Sequence, residues 1–420
     1  MTNPLRAPRL AFALLILPAT APAQFRAAAS PEAAGFSSAR LARIDSLIQP
    51  LVTRGAIPGA VVFIARDGQV VLHKAYGHRN TTTRTPLRKD DIFRIASQSK
   101  AITSLAVMML WEEGRFGLDD PIERYIPEFA NPRVLTTFNP ADSSYESAPA
   151  RRRPTIRHLL THSSGIDYAA IGSDEFKAIY AKAGVPAGIG TMRSTIGEKM
   201  KVLGRLPLRH EPGERFTYSL SIDVLGYLVE IASGMPFDRF LRTRILDPLG
   251  MKDTWFYLPA DRHDRLVTLH DIQEGKAVPG NVQVFGEDPE YPRHPGTYFS
   301  GGAGLSGTVE DYAKFLQLFL NGGELNGVRL LSRKTVELML TDQLPTLATK
   351  HGLGFGLETP ANDYQSPLTV GSFQWGGAFR TSYWADPKER LVALIYTNTF
   401  GPAPPVGAGF TVLTYAALVK

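Results

Sequence analysis

The sequence predicts an α/β fold in which an antiparallel sheet is assembled from both chain ends and flanked by helices. Near the start, residues 60–64 and 69–72 are apolar runs on either side of Asp67-Gly68, a dipeptide typical of a hairpin turn. Near the end, residues 381–384 and 391–397 are a second pair of apolar runs around a turn that contains proline. Because helical patterns fill the sequence between the two pairs, we expect one shared sheet with an inserted, mainly helical lobe.

The helices are predicted from apolar residues that recur at helical spacing. The first covers residues 38–54, and the others cover residues 101–113, 156–161, 222–233, 237–246, 309–321, 333–340 and 411–420. Residues 131–154 and 257–297 are predicted to be long irregular loops, which in compact enzymes often border a site. We therefore expect an α/β lobe of about residues 36–110 and 295–420, a helical lobe of about residues 111–294, and a cleft between them.

The first residues have the pattern of a secretory signal peptide. Two arginines precede an apolar run at residues 10–17, and Ala21-Pro22-Ala23 offers a cleavage site of small residues. We expect residues 1–23 to be removed on export, which would leave one mature domain of residues 24–420 in the periplasm or outside the cell. No segment has the ~20 apolar residues that a membrane-spanning helix needs, so we expect no transmembrane segment.

Composition and spacing exclude several classes of function. The 420 residues carry a net charge of +6, with basic residues spread among acids, which is not the pattern of a nucleic-acid-binding protein. The absence of cysteine excludes thiol catalysis and cysteine-ligated metals. The histidines form no H-E-x-x-H motif, and His158 and His162, four residues apart, have no acid between them. We expect both to be structural, and we expect no metal and no cofactor.

Ser97-Gln98-Ser99-Lys100 is the first candidate catalytic motif. It begins an apolar helix, so Ser97 and Lys100 lie three positions apart on one helical face. A serine hydroxyl is a poor nucleophile until a base takes its proton, and a lysine can be that base when burial favours its neutral form. The alternative is that Ser97 caps the helix and Lys100 is solvated. Apolar residues on both sides predict a buried Lys100 and favour the catalytic interpretation.

Two further stretches contribute candidate residues. Tyr218 lies in a loop just before a predicted helix, where its hydroxyl could face a cleft; the alternative is an ordinary half-buried tyrosine. Trp375-Gly376-Gly377-Ala378 places two glycines inside a strand pattern, which indicates close backbone approach or a bulge. Such a strand lets a ligand carbonyl reach a backbone N–H, whereas its structural alternative is a kinked edge strand around a core tryptophan.

The order of these motifs resembles that of the serine β-lactamase-like hydrolases. This superfamily includes class C β-lactamases, D-alanyl-D-alanine carboxypeptidases and family VIII carboxylesterases. The similarity extends over roughly residues 36–400 and is carried by longer stretches at residues 155–165, 211–226, 247–251 and 301–305. The resemblance implies the β-lactamase/transpeptidase-like fold, with the active site in the cleft between two lobes.

The resemblance also implies roles for individual residues. Ser97 resembles the acylated nucleophile, Lys100 its partner base, and Tyr218 the tyrosine that carries protons to the leaving group and from the hydrolytic water. The backbone N–H groups of Ser97 and Ala378 resemble the oxyanion hole. These assignments imply an acyl-enzyme on Ser97.

Two departures from the family pattern concern the substrate. The family's Tyr-x-Asn is Tyr218-Ser219-Leu220 here, so Leu220 replaces the asparagine amide that contacts a β-lactam side chain or the lysine. The usual Lys-Thr-Gly is Trp375-Gly376-Gly377, so the cation and hydroxyl that hold a substrate carboxylate are missing. The esterase branch is similar in having a Trp-Gly-Gly-like strand. We therefore predict that Leu220, Trp375, Gly376 and Gly377 contact the substrate, and that the protein is a carboxylesterase for small esters.

Two other classes of function remain open from the sequence. A β-lactamase or D-Ala-D-Ala carboxypeptidase would need another cation for the carboxylate, such as Arg380. A non-catalytic binding protein of the same fold is the second alternative, because a fold does not guarantee chemistry. In each enzymatic case the expected partner is a small-molecule ester or lactam and not a nucleic acid; the natural substrate and the oligomeric state are left open.

Overall fold

The computed structural model describes residues 25–190, 193–280 and 285–420. In chain order the strands are β1 (Arg26–Ala27), β2 (Gly59–Arg66), β3 (Gln69–Asn80), β4 (Thr85–Pro86), β5 (Phe93–Arg94), β6 (Arg133–Asn139), β7 (Ser144–Pro149), β8 (His270–Gln273), β9 (Lys276–Pro279), β10 (Ser306–Gly307), β11 (Glu324–Leu325), β12 (Val328–Arg329), β13 (Gly356–Leu357), β14 (Phe373–Gly377), β15 (Thr381–Asp386), β16 (Leu391–Tyr396) and β17 (Thr399–Phe400). The α-helices are α1 (Ser38–Leu41), α2 (Arg43–Thr53), α3 (Ser99–Glu112), α4 (Ile156–Leu160), α5 (Asp174–Ala183), α6 (Ile196–Leu203), α7 (Ser221–Ser233), α8 (Phe237–Leu241), α9 (Val309–Leu320), α10 (Arg333–Met339) and α11 (Val406–Ala417). The predicted signal peptide, residues 1–23, lies outside the described residues.

The main sheet joins strands from both ends of the chain. Its order is β1-β3-β2-β16-β15-β14-β13, and β4 pairs with the far end of β3. The two chain ends meet where β2 pairs antiparallel with β16, from Val61 opposite Tyr396 to Arg66 opposite Leu391. Every pair in this sheet is antiparallel except the short β1–β3 pair, which is parallel. The predicted α/β fold class is confirmed.

The side chains of the central strands point alternately to the two faces of the sheet, and both faces are buried. In β2, Val61, Phe63 and Ala65 enter one hydrophobic core, while Ala60, Val62 and Ile64 enter a second core on the opposite face. Helices α1, α2 and α11 contribute the apolar residues that cover the second core. Helix α9 packs against β2, β15 and β16 on the other face. The unbroken apolar sequence of these strands follows from burial on both sides.

The predicted turns have the backbone geometry that their residues favour. Asp67 and Gly68 have φ angles of 53° and 69°, as a two-residue turn with two left-handed positions requires. At the second hairpin, the Asp386 carboxylate accepts hydrogen bonds of 3.0 Å from the backbone N–H groups of Lys388 and Glu389. Both hairpins therefore form where the sequence places them.

The middle of the chain is helical, with two differences from prediction. Helices α5 and α6 were not predicted, although Thr195 and Glu198 form a capping box at the start of α6. The stretches 131–154 and 257–297 are not wholly irregular, because they contain the hairpins β6–β7 and β8–β9. The β6–β7 strands are largely exposed and lack the apolar alternation that reveals a half-buried strand.

No helix among the described residues is long and apolar enough to cross a membrane.

Helix α3 connects the sheet to the helical part of the chain. Its residues from Ser99 to Leu110 are all buried, as expected for a helix that is apolar on every side. It packs against α7 and α8, and its residues belong to the same core as the inner face of the sheet. The N-terminus of α3 therefore lies in the interior of the molecule, where its position is fixed by contacts on all sides.

Candidate active site

Ser97 lies on a strained turn that immediately precedes α3. The turn Ala96–Gln98 is a single turn of 3-10 helix. Its first residue, Ala96, has a φ of 44°, a left-handed conformation that is unfavourable for a residue with a Cβ and that occurs often at functional sites. Between Asp91 and Lys100, Ser97 is partly exposed and all the other residues are buried. The turn thus presents the Ser97 side chain to solvent from an otherwise closed segment.

Buried hydrogen bonds hold this turn from several directions. The Ser99 hydroxyl donates to the Ala96 carbonyl at 2.7 Å and accepts from the Leu305 N–H at 3.1 Å. The carbonyl of Gln98 accepts from the Tyr312 hydroxyl at 2.8 Å. Since Ser99, Gln98 and Tyr312 are all buried, these bonds are shielded from competition with water. They keep the strained turn in place.

Lys100 is buried beside the Ser97 hydroxyl. Its Nζ lies 3.4 Å from Ser97 Oγ and donates a 2.7 Å hydrogen bond to the Gly302 carbonyl. Its Nζ also lies 4.5 Å from the centre of the Tyr218 ring and 5.4 Å from the centre of the Tyr168 ring. Only 3% of Lys100 is exposed. The structure therefore brings Ser97, Lys100 and Tyr218 together, with the amine enclosed by a carbonyl, a hydroxyl and two aromatic faces.

The Tyr218 hydroxyl makes no hydrogen bond with any described residue. Its ring stacks on Tyr168 with centres 5.7 Å apart and lies 5.8 Å from the Trp375 ring and 4.8 Å from the His162 ring. The hydroxyl oxygen is buried, and within the described part of the chain it has no hydrogen-bond partner. A buried hydroxyl without a partner is costly in a folded protein. This hydroxyl belongs to the same residue whose ring lies against Lys100 Nζ.

Asp223 is a buried carboxylate near the lysine. It lies in the first turn of α7, where its Oδ1 accepts from the Ser300 hydroxyl at 2.7 Å and from the Tyr298 hydroxyl at 3.2 Å. Burial raises the pKa of Asp223, whereas the Ser300 hydroxyl and the charge of Lys100 lower it. A Cβ at Gly302 would contact both Asp223 Oδ2 and Lys100 Nζ, so the two groups flank this glycine.

Asp223 and Tyr168 could not be identified from short motifs. The one signal for Asp223 is a single acid in the otherwise apolar first half of α7. Tyr168 stands in a loop without a recognisable pattern, and only the folded chain stacks it against Tyr218.

The glycine-containing strand lies against the nucleophile turn. Gly377, the last residue of β14, packs so closely that a Cβ at this position would overlap the Ile95 carbonyl oxygen. The Thr381 hydroxyl also contacts that oxygen, at 3.5 Å. Ala378 follows directly and is exposed. The strand end that carries the Ala378 N–H is thereby held next to the turn that carries Ser97.

Trp375 and Gly376 are partly exposed on the same strand. The Trp375 ring lies 5.4 Å from the ring of His351, edge to face, in addition to its contact with Tyr218. Burial lowers the pKa of His351 to about 4, so this imidazole is neutral at physiological pH. The wall formed by Trp375 and its neighbours therefore carries no positive charge from His351.

Two residues named from the sequence lie elsewhere. Leu220 is fully buried in the main core, so the prediction that it contacts the substrate is corrected. Arg380 follows the glycine strand, but its guanidinium donates a 2.8 Å hydrogen bond to the Gly401 carbonyl. The Arg380 guanidinium is thus hydrogen-bonded to the backbone of a different loop.

This chain is similar over most of its length to several known proteins. Esterase EstB of Burkholderia gladioli is 32% identical over 392 residues, which cover 89% of this chain and 94% of EstB. The solved structure of EstCE1, described as a hydrolase with promiscuous acyltransferase activity, is 28% identical with a TM-score of 0.78 and covers 91% of this chain and 99% of EstCE1. The simvastatin synthase LovD of Aspergillus terreus, at 23% identity and a TM-score of 0.75, covers 90% of this chain and 99% of LovD and shows the fold alone.

The family described as Beta-lactamase matches residues 44–417, which include every candidate site residue named above. The matched region also contains the N-terminus of α3 and every strand of the main sheet except β1. The chain is therefore a hydrolase of the Beta-lactamase family, in the serine β-lactamase-like superfamily that has an esterase branch.

Proposed function

We propose that the protein is a serine carboxylesterase that forms an acyl-enzyme on Ser97 and hydrolyses small neutral esters. The observation that carries the proposal is the position of Lys100 Nζ, 3.4 Å from Ser97 Oγ and over the ring of Tyr218, in a nearly solvent-free setting. A nucleophile and a base within reach of each other are the minimum that covalent acyl transfer requires.

In acylation, the Lys100 amine accepts the Ser97 proton while Ser97 Oγ attacks the ester carbonyl carbon. The carbonyl oxygen becomes an oxyanion, which the backbone N–H groups of Ser97 and Ala378 stabilise. When the intermediate collapses, the bond to the alcohol oxygen breaks and Tyr218 donates a proton to the leaving alcohol. Lys100 returns its proton to Tyr218, which leaves Ser97 acylated and both proton-carrying groups reset.

In deacylation, a water molecule takes the position that the alcohol leaves. Tyr218 passes its proton to Lys100 and takes a proton from that water as the water oxygen attacks the acyl carbon. The bond to Ser97 Oγ then breaks, Lys100 returns the proton to Ser97 Oγ, and the carboxylic acid departs. The unpartnered Tyr218 hydroxyl supports this role, because no described residue holds it in a competing bond.

The proposed preference for neutral esters follows from the charges around the cleft. A β-lactam or a peptide C-terminus carries a carboxylate, which a site binds through a fixed cation and hydroxyl donors. Here the corresponding positions are Trp375 and two glycines, the nearby His351 is held neutral, and Arg380 is bonded to Gly401. The name of EstB, an esterase 32% identical to this chain, supports the same preference.

We also propose that the protein acts after export, in the periplasm or outside the cell. The support for this is the signal-peptide pattern of residues 1–23 in the sequence. Its test is whether the purified native protein begins near residue 24.

The test of function is a panel of p-nitrophenyl esters of increasing acyl length, measured beside nitrocefin and a D-Ala-D-Ala peptide. Short esters should give the highest kcat/KM, and intact-mass spectrometry with a slow ester should show one acyl adduct in the peptide that contains Ser97. The variant Ser97→Ala should form no adduct and lose at least ~10³-fold in kcat. An adduct on another residue would overturn the nucleophile, and a higher kcat/KM for nitrocefin would overturn the substrate class.

A further inference from the structure

His162 contacts the chain on both sides of Tyr218. Its carbonyl accepts a 2.7 Å hydrogen bond from the N–H of Thr217, the residue before Tyr218. Its Nδ1 accepts a 3.2 Å hydrogen bond from the N–H of Ser219, the residue after Tyr218. The imidazole ring also packs on the Tyr218 ring, with centres 4.8 Å apart. One residue thus fixes both neighbours of Tyr218 and one face of its ring.

The bond to Ser219 requires an imidazole without a proton on Nδ1. An N–H group can donate only to the ring nitrogen that carries a lone pair, so His162 is the neutral tautomer with its proton on Nε2. Its surroundings favour that form. His162 is buried, and burial together with the nearby His351 and Lys100 lowers its pKa well below the usual value. The Nδ1 acceptor for the Ser219 N–H is therefore present throughout the neutral pH range.

The backbone of His162 adopts a conformation that most side chains avoid. Its φ is 54°, in the left-handed region. This conformation is unfavourable for histidine compared with glycine or asparagine, so the surrounding contacts must maintain it.

We propose that His162 is a positioning residue, which holds the Tyr218 hydroxyl at the Ser97–Lys100 pair by fixing the backbone on both sides of Tyr218. This inference rests on the proposed function, because it concerns the same proton-transfer step. His162 acts through Tyr218 and does not touch the reacting atoms. A displacement of the hydroxyl by about 1 Å can cost on the order of 10²-fold in rate, which sets the size of the expected effect.

The experiment first compares two variants whose new residues tolerate the left-handed backbone. His162→Gly removes the ring and its acceptor, whereas His162→Asn keeps a polar atom at the position of Nδ1; both residues accept a positive φ. His162→Gly should lower kcat for a short p-nitrophenyl ester about 10–100-fold with little change in KM. His162→Asn should restore most of that loss. If the glycine variant does not fold, His162→Phe takes its place, because it keeps a ring and lacks the acceptor.

A double-variant comparison separates positioning from a general structural role. In a Tyr218→Phe background the hydroxyl is absent, so His162→Gly should cause almost no further loss of kcat. His158→Ala is the matched control, because that histidine caps α4 through a 3.2 Å bond from the Thr155 N–H. It should reduce stability and leave kcat nearly unchanged.

A fluorophosphonate probe measured on the same variants distinguishes this inference from the proposed function. Wild-type protein should be labelled at Ser97, and His162→Gly should slow labelling only when Tyr218 is present. Equal losses in both backgrounds, or no rescue by asparagine, would overturn the inference and leave the proposed function intact. A wild-type chain that is neither labelled nor active on esters would overturn both.

Discussion

Gly377 and Ile95 are in such close contact that no side chain fits between them, because a Cβ on Gly377 would overlap the Ile95 carbonyl oxygen. This contact sets the distance between the end of β14 and the turn that carries Ser97. We expect Gly377→Ala to push the strand end away and to lower kcat roughly 10²-fold, since an oxyanion hole depends on the positions of both its N–H groups.

The neighbouring glycine provides the comparison for that prediction. At Gly376 the nearest atom to an added Cβ would be the Thr381 carbonyl oxygen at 3.1 Å, a tight contact that a small shift relieves. Gly376→Ala should therefore lose much less activity than Gly377→Ala. Steady-state kinetics and thermal melts of both variants measure this, and equal kcat values for the two would contradict the proposed contact.

Lys100 and Tyr218 should contribute comparably to the rate. General acid–base assistance is worth ~10²–10⁴-fold, so Lys100→Ala and Tyr218→Phe should each lose kcat within that range. The double variant should lose much less than the product of the two factors, because both residues serve the same proton transfer. Kinetics with one short ester, with circular dichroism as the folding control, test this. A loss below about fivefold in either single variant would reject its role.

Arg380 should have little influence on substrate choice. Its guanidinium is bonded to Gly401, and its φ of 56° is left-handed, so asparagine is the substitution that least disturbs the backbone. Arg380→Asn should change kcat/KM for short esters and for nitrocefin by similar, small factors. A selective loss of nitrocefin turnover would show that Arg380 reaches the substrate carboxylate and would favour a β-lactamase.

Stability should fall as the pH drops from about 6.5 to about 4. Burial lowers the pKa of His351 from 6.5 to about 4, so in this window the unfolded chain binds a proton that the native chain does not. The free energy of unfolding then decreases with falling pH, and His351 alone accounts for about 3 kcal/mol of that decrease. Above pH 6.5 its contribution is constant.

Urea unfolding at pH 7.5 and pH 4.5 measures this dependence. His351→Asn keeps a donor near the Gly352 carbonyl, to which His351 Nδ1 is bonded at 2.6 Å, and removes the titrating ring. The difference in unfolding free energy between the two pH values should shrink by about 2–3 kcal/mol in this variant. Burial also lowers the pKa of His270 to about 4, so the variant His270→Asn offers an independent repeat. An unchanged difference in both variants would show that these rings are solvated in the folded protein.

The sequence alone predicted those parts of the molecule whose structure depends on residues close to one another in the chain. Two apolar runs on either side of Asp67-Gly68 indicated the first hairpin, and two apolar runs around a proline-containing turn indicated the second. The spacing of Ser97 and Lys100 placed both side chains on one face of a helix turn. Hairpin β6–β7 was missed because its strands are largely exposed and carry no apolar alternation, and β8–β9 was missed because its strands are only 4 residues long.

Only the tertiary structure decided which groups surround the lysine. The Gly302 carbonyl that binds Lys100 is 202 residues away in the chain, and Tyr168 and Asp223 come from separate segments of the middle region. It also decided that Leu220 faces the core, which a motif comparison cannot reveal because Leu220 can point to either side of its loop. Such contacts depend on how distant elements pack in three dimensions, and local sequence patterns carry little information about that packing.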